Sequence, residues 1–170
     1  MKVLAVIDMQ NDFISGALGT FAAQAIVPAV RRRIAEARAA GETVVFTLDT
    51  HTSAYPQTQE GRKLPVPHCI RGTDGWKLEE SLDATGCRVF EKPGFGSPEL
   101  IEYLKSLPNL TEVEFVGLCT DICVITNVFM LKGALPEVVI RVRANACAGV
   151  TPESHETALA AMKMCQIEII

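Results

Sequence analysis

The sequence predicts an α/β protein, a Rossmann-like three-layer sandwich built on a six-stranded, mainly parallel sheet. Three observations lead there. Strand-like and helix-like stretches alternate along the whole chain, the rhythm of βαβ units. Apart from the short Arg88–Phe90 run, the strand-like runs are β-branched and aliphatic stretches bounded by Gly, Pro or charge, as expected of buried parallel strands. Finally, Val3–Ile7, Thr43–Leu48, Arg88–Phe90 and Val113–Leu118 lead into Asp8, Asp49, Lys92 and Cys123. In open parallel sheets ligands bind outside the carboxyl ends of the strands, so these four side chains can converge on one crevice.

The first strand, Val3–Ile7, is followed by a Gly-containing loop and a helix from Ala22 to Ala40. Ile26, Val30, Ile34 and Ala37 recur there at helical spacing, and Gly41 stops the helix. Strand Thr43–Leu48 opens a long irregular stretch, Thr50 to Gly75, with two of the chain's three histidines; loops of that length are usually functional or disordered. A short helix is expected from Trp76 to Ala84, then the third strand. Ser97-Pro98-Glu99 starts the next helix, with Ser as N-cap and Pro at its first position. Strand Val113–Leu118 runs into a helix from Asp121 to Leu131, and strand Val138–Val142 follows. Thr151-Pro152-Glu153 caps the last helix, which reaches Met164, and Gln166–Ile170 is a closing strand. No repeat or linker divides the chain, so residues 1–170 are expected to form one domain.

With 48% hydrophobic and 21% charged residues, disorder is not expected. A net charge of −4 argues against a nucleic-acid partner, which would require a basic face. The one basic cluster, Arg31-Arg32-Arg33, falls within a helical pattern and reads as a solvated face. No apolar run is long enough to span a bilayer. Met1-Lys2 leads straight into the first strand, so no signal peptide and a cytoplasmic location are expected. In that compartment the six cysteines are thiols, most of them small buried hydrophobes.

Cys123 has a further claim. In Gly117-Leu118-Cys119-Thr120-Asp121-Ile122-Cys123-Val124 a strand passes into a helix. With Thr120 or Asp121 as N-cap, Cys123 falls in the first turn, where free N–H groups and the helix dipole would lower a thiol pKa. The same N–H groups could hold an oxyanion. Cys119, at the strand end, suits a structural role better.

Val6-Ile7-Asp8-Met9-Gln10-Asn11-Asp12-Phe13, Asp49-Thr50-His51, His68-Cys69 with Gly72-Thr73-Asp74-Gly75-Trp76, Glu91-Lys92, and Val116-Gly117 through Thr120-Asp121-Ile122-Cys123-Val124 occur in this order over nearly the whole chain. Together they resemble the isochorismatase-like cysteine hydrolases, and within them the nicotinamidases. The resemblance implies a catalytic triad of Asp8, Lys92 and Cys123. Asp8 would take the thiol proton and later give a proton to departing ammonia. Cys123 would form a thioester, and Lys92 would hold Asp8 and favour the thiolate. It also implies a non-proline cis peptide joining Leu118 to Cys119, with the N–H groups of Cys119 and Cys123 as oxyanion hole.

One residue separates Asp49 from His51, so in extended chain both side chains point to the same side. The resemblance adds His68, and Glu60 from the loop between, as further ligands to a divalent ion. Two carboxylates and two imidazoles suit Zn²⁺, Fe²⁺ or Mn²⁺, acting as a substrate clamp rather than a source of hydroxide. Phe13 and Phe95 match places where the family presents aromatics to a planar substrate. Gly96-Ser97-Pro98 stands where a second aromatic often follows the lysine motif. His155, in the last helix, is expected to be structural.

The expected activity is hydrolysis of nicotinamide or a related small carboxamide through a thioester, by a homo-oligomer. One alternative is isochorismatase, which cleaves a vinyl ether on the same scaffold. Another is a non-catalytic thiol sensor or binding protein, for which Asp8 and Lys92 would have no use.

Overall fold

A computed structural model describes residues 1–170. Its elements, in order, are β1 (Lys2–Ile7), α1 (Asn11–Ile14), α2 (Phe21–Ala39), β2 (Thr43–Asp49), a 3₁₀ turn (Tyr55–Gln57), α3 (Gln59–Lys63), β3 (Arg88–Lys92), α4 (Pro98–Ser106), β4 (Glu112–Leu118), a π-helical turn (Thr120–Val124), α5 (Ile125–Ala134), β5 (Val139–Ala148), α6 (Pro152–Met164) and β6 (Glu168–Ile169). Six strands form one sheet in the order β3-β2-β1-β4-β5-β6, every pair parallel. The chain winds outward from β1 one way through β2 and β3, then returns to lay β4 against β1. A parallel sheet opens a crevice where the winding reverses. Here that crevice lies between the carboxyl ends of β1 and β4.

Two apolar layers cover the sheet. Ala23, Ile26, Val30, Ile34 and Ala37 of α2 pack with Leu4, Val6, Val44 and Phe46 on one face. On the other face α4, α5 and α6 supply Leu104, Val128, Leu131, Leu159 and Met162 against Val3, Ala5, Val113 and Phe115. Strands buried on both faces explain the unbroken apolar runs: each fully buried Val, Leu or Phe stabilises the fold by about 1.5–3 kcal/mol.

Several details differ from the sequence expectation. Arg33 is buried, not solvated: its Nε lies 3.1 Å from both carboxylate oxygens of buried Glu114. It stands on the helix stripe of Val30 and Ile34, which faces the sheet, so only Arg31 and Arg32 reach solvent. No helix forms over 76–84. The backbone there is spent on a distant partner, with Lys77 O accepting from Asn11 N at 3.0 Å and Glu79 N donating to Met9 O at 2.9 Å. β5 runs on to Ala148 because its register with β4 shifts between Phe115 and Gly117 and pairing then resumes. The closing strand is only Glu168–Ile169. No helix is long and apolar enough to cross a membrane.

Candidate active site

Asp8 stands at the first position past β1 with φ 48°, a left-handed conformation that Asp tolerates better than most residues. Thr47 of β2 holds it there. Thr47 Oγ1 donates to Asp8 Oδ1 at 2.6 Å, and Asp8 N donates to Thr47 O at 3.2 Å. Lys92, the last residue of β3, points inward with no exposure. Its Nζ lies 2.7 Å from Asp8 Oδ2, 3.4 Å from Cys123 Sγ, 3.4 Å from Asp49 Oδ1 and 3.0 Å from Gly94 O. The structure thus gathers Asp8, Lys92 and Cys123 from three strand ends into one buried cluster.

The nucleophile turn departs from the expected helix start. Neither Thr120 nor Asp121 caps it. Cys119 occupies the cap position without a side-chain bond, and Val124 N reaches back five residues to Cys119 O at 3.0 Å. Such π turns recur at functional sites. Thr120 instead meets His155 Nδ1 at 2.8 Å, and Asp121 accepts from Val150 N. The peptide between Leu118 and Cys119 is cis, and no hydrogen bond within the chain uses the Cys119 N–H. Asn127 closes the turn from behind, donating from Nδ2 to Cys123 O at 2.7 Å. Just upstream, Gly117 has φ 116° and lies against Ile7 O, where a Cβ would collide; only Gly fits.

Water is scarce around these groups, all of them buried. Burial pushes the Cys123 thiol well above its usual range, and the facing Asp8 carboxylate adds to the effect. The expected lowering at a helix start does not occur, because complete desolvation outweighs it. Burial also raises Asp8, against the pull of Lys92. For Lys92 burial acts the other way, but the charges of Asp8, Cys123 and Asp49 hold the ammonium above its ordinary value. The resting cluster thus sets Asp8 against Lys92 at 2.7 Å beside a Cys123 whose thiol form burial favours.

Beside it lies a second cluster. One ligand atom each from Asp49, His51, Glu60 and His68 lie within 4.8 Å of one another. His51 Nε2 is 2.8 Å from Asp49 Oδ2, yet it is buried and makes no hydrogen bond. His68 Nδ1 is 2.8 Å from Val66 O, which assigns the proton to Nδ1 and leaves the Nε2 lone pair facing the carboxylates. Burial opposes ionisation of Asp49, but its close approach to His51, His68 and Lys92 keeps it well below the usual carboxylate range. Glu60 is pushed up by burial and by the charge of Asp49. An orphaned imidazole nitrogen amid two crowded carboxylates fits a divalent cation.

Phe13 packs against the quartet, its ring centroid 5.5 Å from that of His68. Phe95 is 46% exposed on the loop after β3. Sequence reasoning missed three supports. Thr47 is one. Gln10 grips Asp49 at both ends, donating to its carbonyl at 2.8 Å and accepting from its N–H at 2.7 Å. Tyr55 is buried with its ring centroid 4.7 Å from that of His51 and 5.0 Å from that of His68. Only a lone Tyr-Pro in the long loop could have hinted at it.

By fold and site geometry this is a parallel α/β protein with a carboxylate, an amine and a thiol at its switch point and a candidate metal centre beside them. The isochorismatase domain model matches residues 2–170, and the chain belongs to that family. The nicotinamidase/pyrazinamidase of Mycobacterium tuberculosis is 30% identical over 189 residues, covering 100% of this chain and 98% of that protein. The crystal structure of a Bacillus subtilis nicotinamidase/pyrazinamidase matches with a TM-score of 0.86 at 28% identity, over 99% of this chain and 98% of that one. A Pyrococcus horikoshii pyrazinamidase solved in complex with zinc has a TM-score of 0.86 at 25% identity, with the same coverage.

Proposed function

We propose that the protein is an amidohydrolase that converts nicotinamide or a close heteroaromatic carboxamide to the acid and ammonia through a thioester on Cys123. The observation that carries this reading is the position of Lys92, whose Nζ lies 2.7 Å from Asp8 Oδ2 and 3.4 Å from both Cys123 Sγ and Asp49 Oδ1. One buried ammonium joins the thiol cluster to the quartet, so a substrate can engage both. Relatives that are nicotinamidases and pyrazinamidases support the carboxamide.

Asp8, oriented by Thr47 and Lys92, receives the Cys123 proton as sulfur bonds to the carboxamide carbon. Burial makes a free thiolate unfavourable, so transfer and attack run together. The N–H groups of Cys119 and Cys123 stabilise the oxyanion. The proton on Asp8 then passes to the amide nitrogen, the C–N bond breaks and ammonia leaves. Asp8 next deprotonates the water that opens the thioester, restoring thiol and carboxylate. Asp49, His51, Glu60 and His68 would hold a divalent ion, which supplies a Lewis-acid clamp for a ring nitrogen. Phe13, against His68, would border the ring.

A vinyl-ether substrate gives that quartet no role, and a thiol sensor gives the Asp8–Lys92 pair none. Ammonia release should be measured on a panel of small carboxamides, metal-loaded and after chelation, with isochorismate as a separate substrate. The expected result is turnover of pyridine or pyrazine carboxamides that falls sharply on chelation. Turnover of isochorismate alone would overturn the amide assignment.

A further inference from the structure

The mechanism leaves one half-buried carboxylate of the β1–α1 segment without a task. Asp12 Oδ2 accepts from Cys69 N at 2.8 Å, and Oδ1 accepts from Ala17 N at 3.2 Å. Gly75 packs so closely on this carboxylate that a Cβ there would overlap it. Cys69 follows His68 and has φ 46°, a left-handed conformation uncommon for any residue other than Gly, Asn or Asp. Its carbonyl accepts from His51 N at 2.9 Å, and His51 O in turn accepts from Arg71 N at 2.9 Å. Cys69 is therefore the backbone joint between the two imidazoles: covalently next to His68, and hydrogen-bonded to His51.

We propose that Asp12 is a positioning residue for the metal centre, holding the left-handed Cys69 joint and so setting His51 and His68 against each other. The inference rests on the metal reading above. The geometry gives it physical content. Two histidines from separate segments must present their Nε2 lone pairs to one point beside Asp49 and Glu60, and a metal site loses affinity when such outer supports are removed. A tether at Cys69 fixes both rings at once. No other side chain hydrogen-bonds the Cys69 N–H. Asp12 takes no part in the chemistry, since its effect runs through the Cys69 backbone.

The test is zinc affinity by chelator competition on the full chain, paired with amide hydrogen exchange at Cys69. Asp12→Ala should weaken zinc by about 10–100-fold, the usual range for outer-shell partners, and should release protection at the Cys69 amide. Asp12→Asn keeps an acceptor oxygen for Cys69 at the expense of the weaker Ala17 contact. It should retain near wild-type affinity and protection, which a role based on the charge of Asp12 would not allow. Hydrolysis of the metal-loaded enzyme should show a raised KM more than a lowered kcat. If Asp12→Ala gives no folded chain, Asp12→Leu, which keeps the side-chain volume but offers Cys69 N no acceptor, takes its place with the same readouts and the same expected loss. Wild-type affinity in Asp12→Ala, or an equal loss in Asp12→Asn, would overturn the proposal. A wild-type chain that bound no zinc would instead remove the metal reading on which it stands.

Discussion

Replacing Lys92 by Met keeps a long, unbranched side chain and deletes the only cation in the cluster. At an effective dielectric of about 20, unit charges at the observed separations of 2.7 and 3.4 Å attract by roughly 6 and 5 kcal/mol. Desolvating the ammonium offsets much of that, and breaking a buried pair by removing one partner typically costs about 3–5 kcal/mol. The loss should depend on pH. Asp8 already titrates above its ordinary value because of burial, with Lys92 pulling it down. Without Lys92 its folded pKa rises further. Where the folded state binds more protons than the unfolded state, stability falls as pH rises. The deficit should therefore be smallest in acid, below the titration of Asp8 in both proteins, and grow by up to about 1.4 kcal/mol per pH unit above it. Denaturant unfolding of metal-free wild type and Lys92→Met at acid and neutral pH measures this directly. A deficit equal at both pH values, or larger in acid, would refute the buried ion pair.

Thr47→Val removes the hydroxyl that donates to Asp8 Oδ1 at 2.6 Å. Stability should fall by about 1–3 kcal/mol for the lost hydrogen bond to a charged group. That bond favours the carboxylate, and Asp8 must be ionised to accept the thiol proton, so the acid limb of kcat/KM should move to higher pH; a limb that stays in place would separate Asp8 from proton transfer. Alkylation by iodoacetamide at neutral pH, mapped by mass spectrometry, should label exposed Cys165 first and half-buried Cys87 next. Resting Cys123 should lag, being buried and held protonated, and early labelling there would contradict the resting thiol.

The strand ends were the most legible feature of the sequence. Asp8, Lys92 and Cys123 each follow an apolar run, and a parallel sheet has only one way to bring such ends together. Asp49 and His51 were legible by strand alternation. The loop from Thr50 to Cys87 was not, because Gln10, Asn11 and Asp12, about forty to seventy residues away, accept or donate the bonds that shape it. The helix expected over 76–84 failed for that reason. The thiol pKa failed because a helix start is visible in sequence, whereas complete burial facing Asp8 depends on three distant strands. Arg33 failed because Glu114, its partner, lies in a strand that reads as apolar.

Covalent attack by Cys123 on a carboxamide leaves an acyl group on sulfur that can be trapped. Metal-loaded protein mixed with nicotinamide or pyrazinamide, quenched in acid within the first turnover and digested, should carry the acyl group on the peptide containing Cys123. Cys123→Ala should fold normally, carry no adduct and release no ammonia, while Cys119→Ala, which keeps its backbone N–H, should still acylate. Ammonia release without an acylated peptide, or an acyl group on any other residue, would rule out Cys123 as the nucleophile.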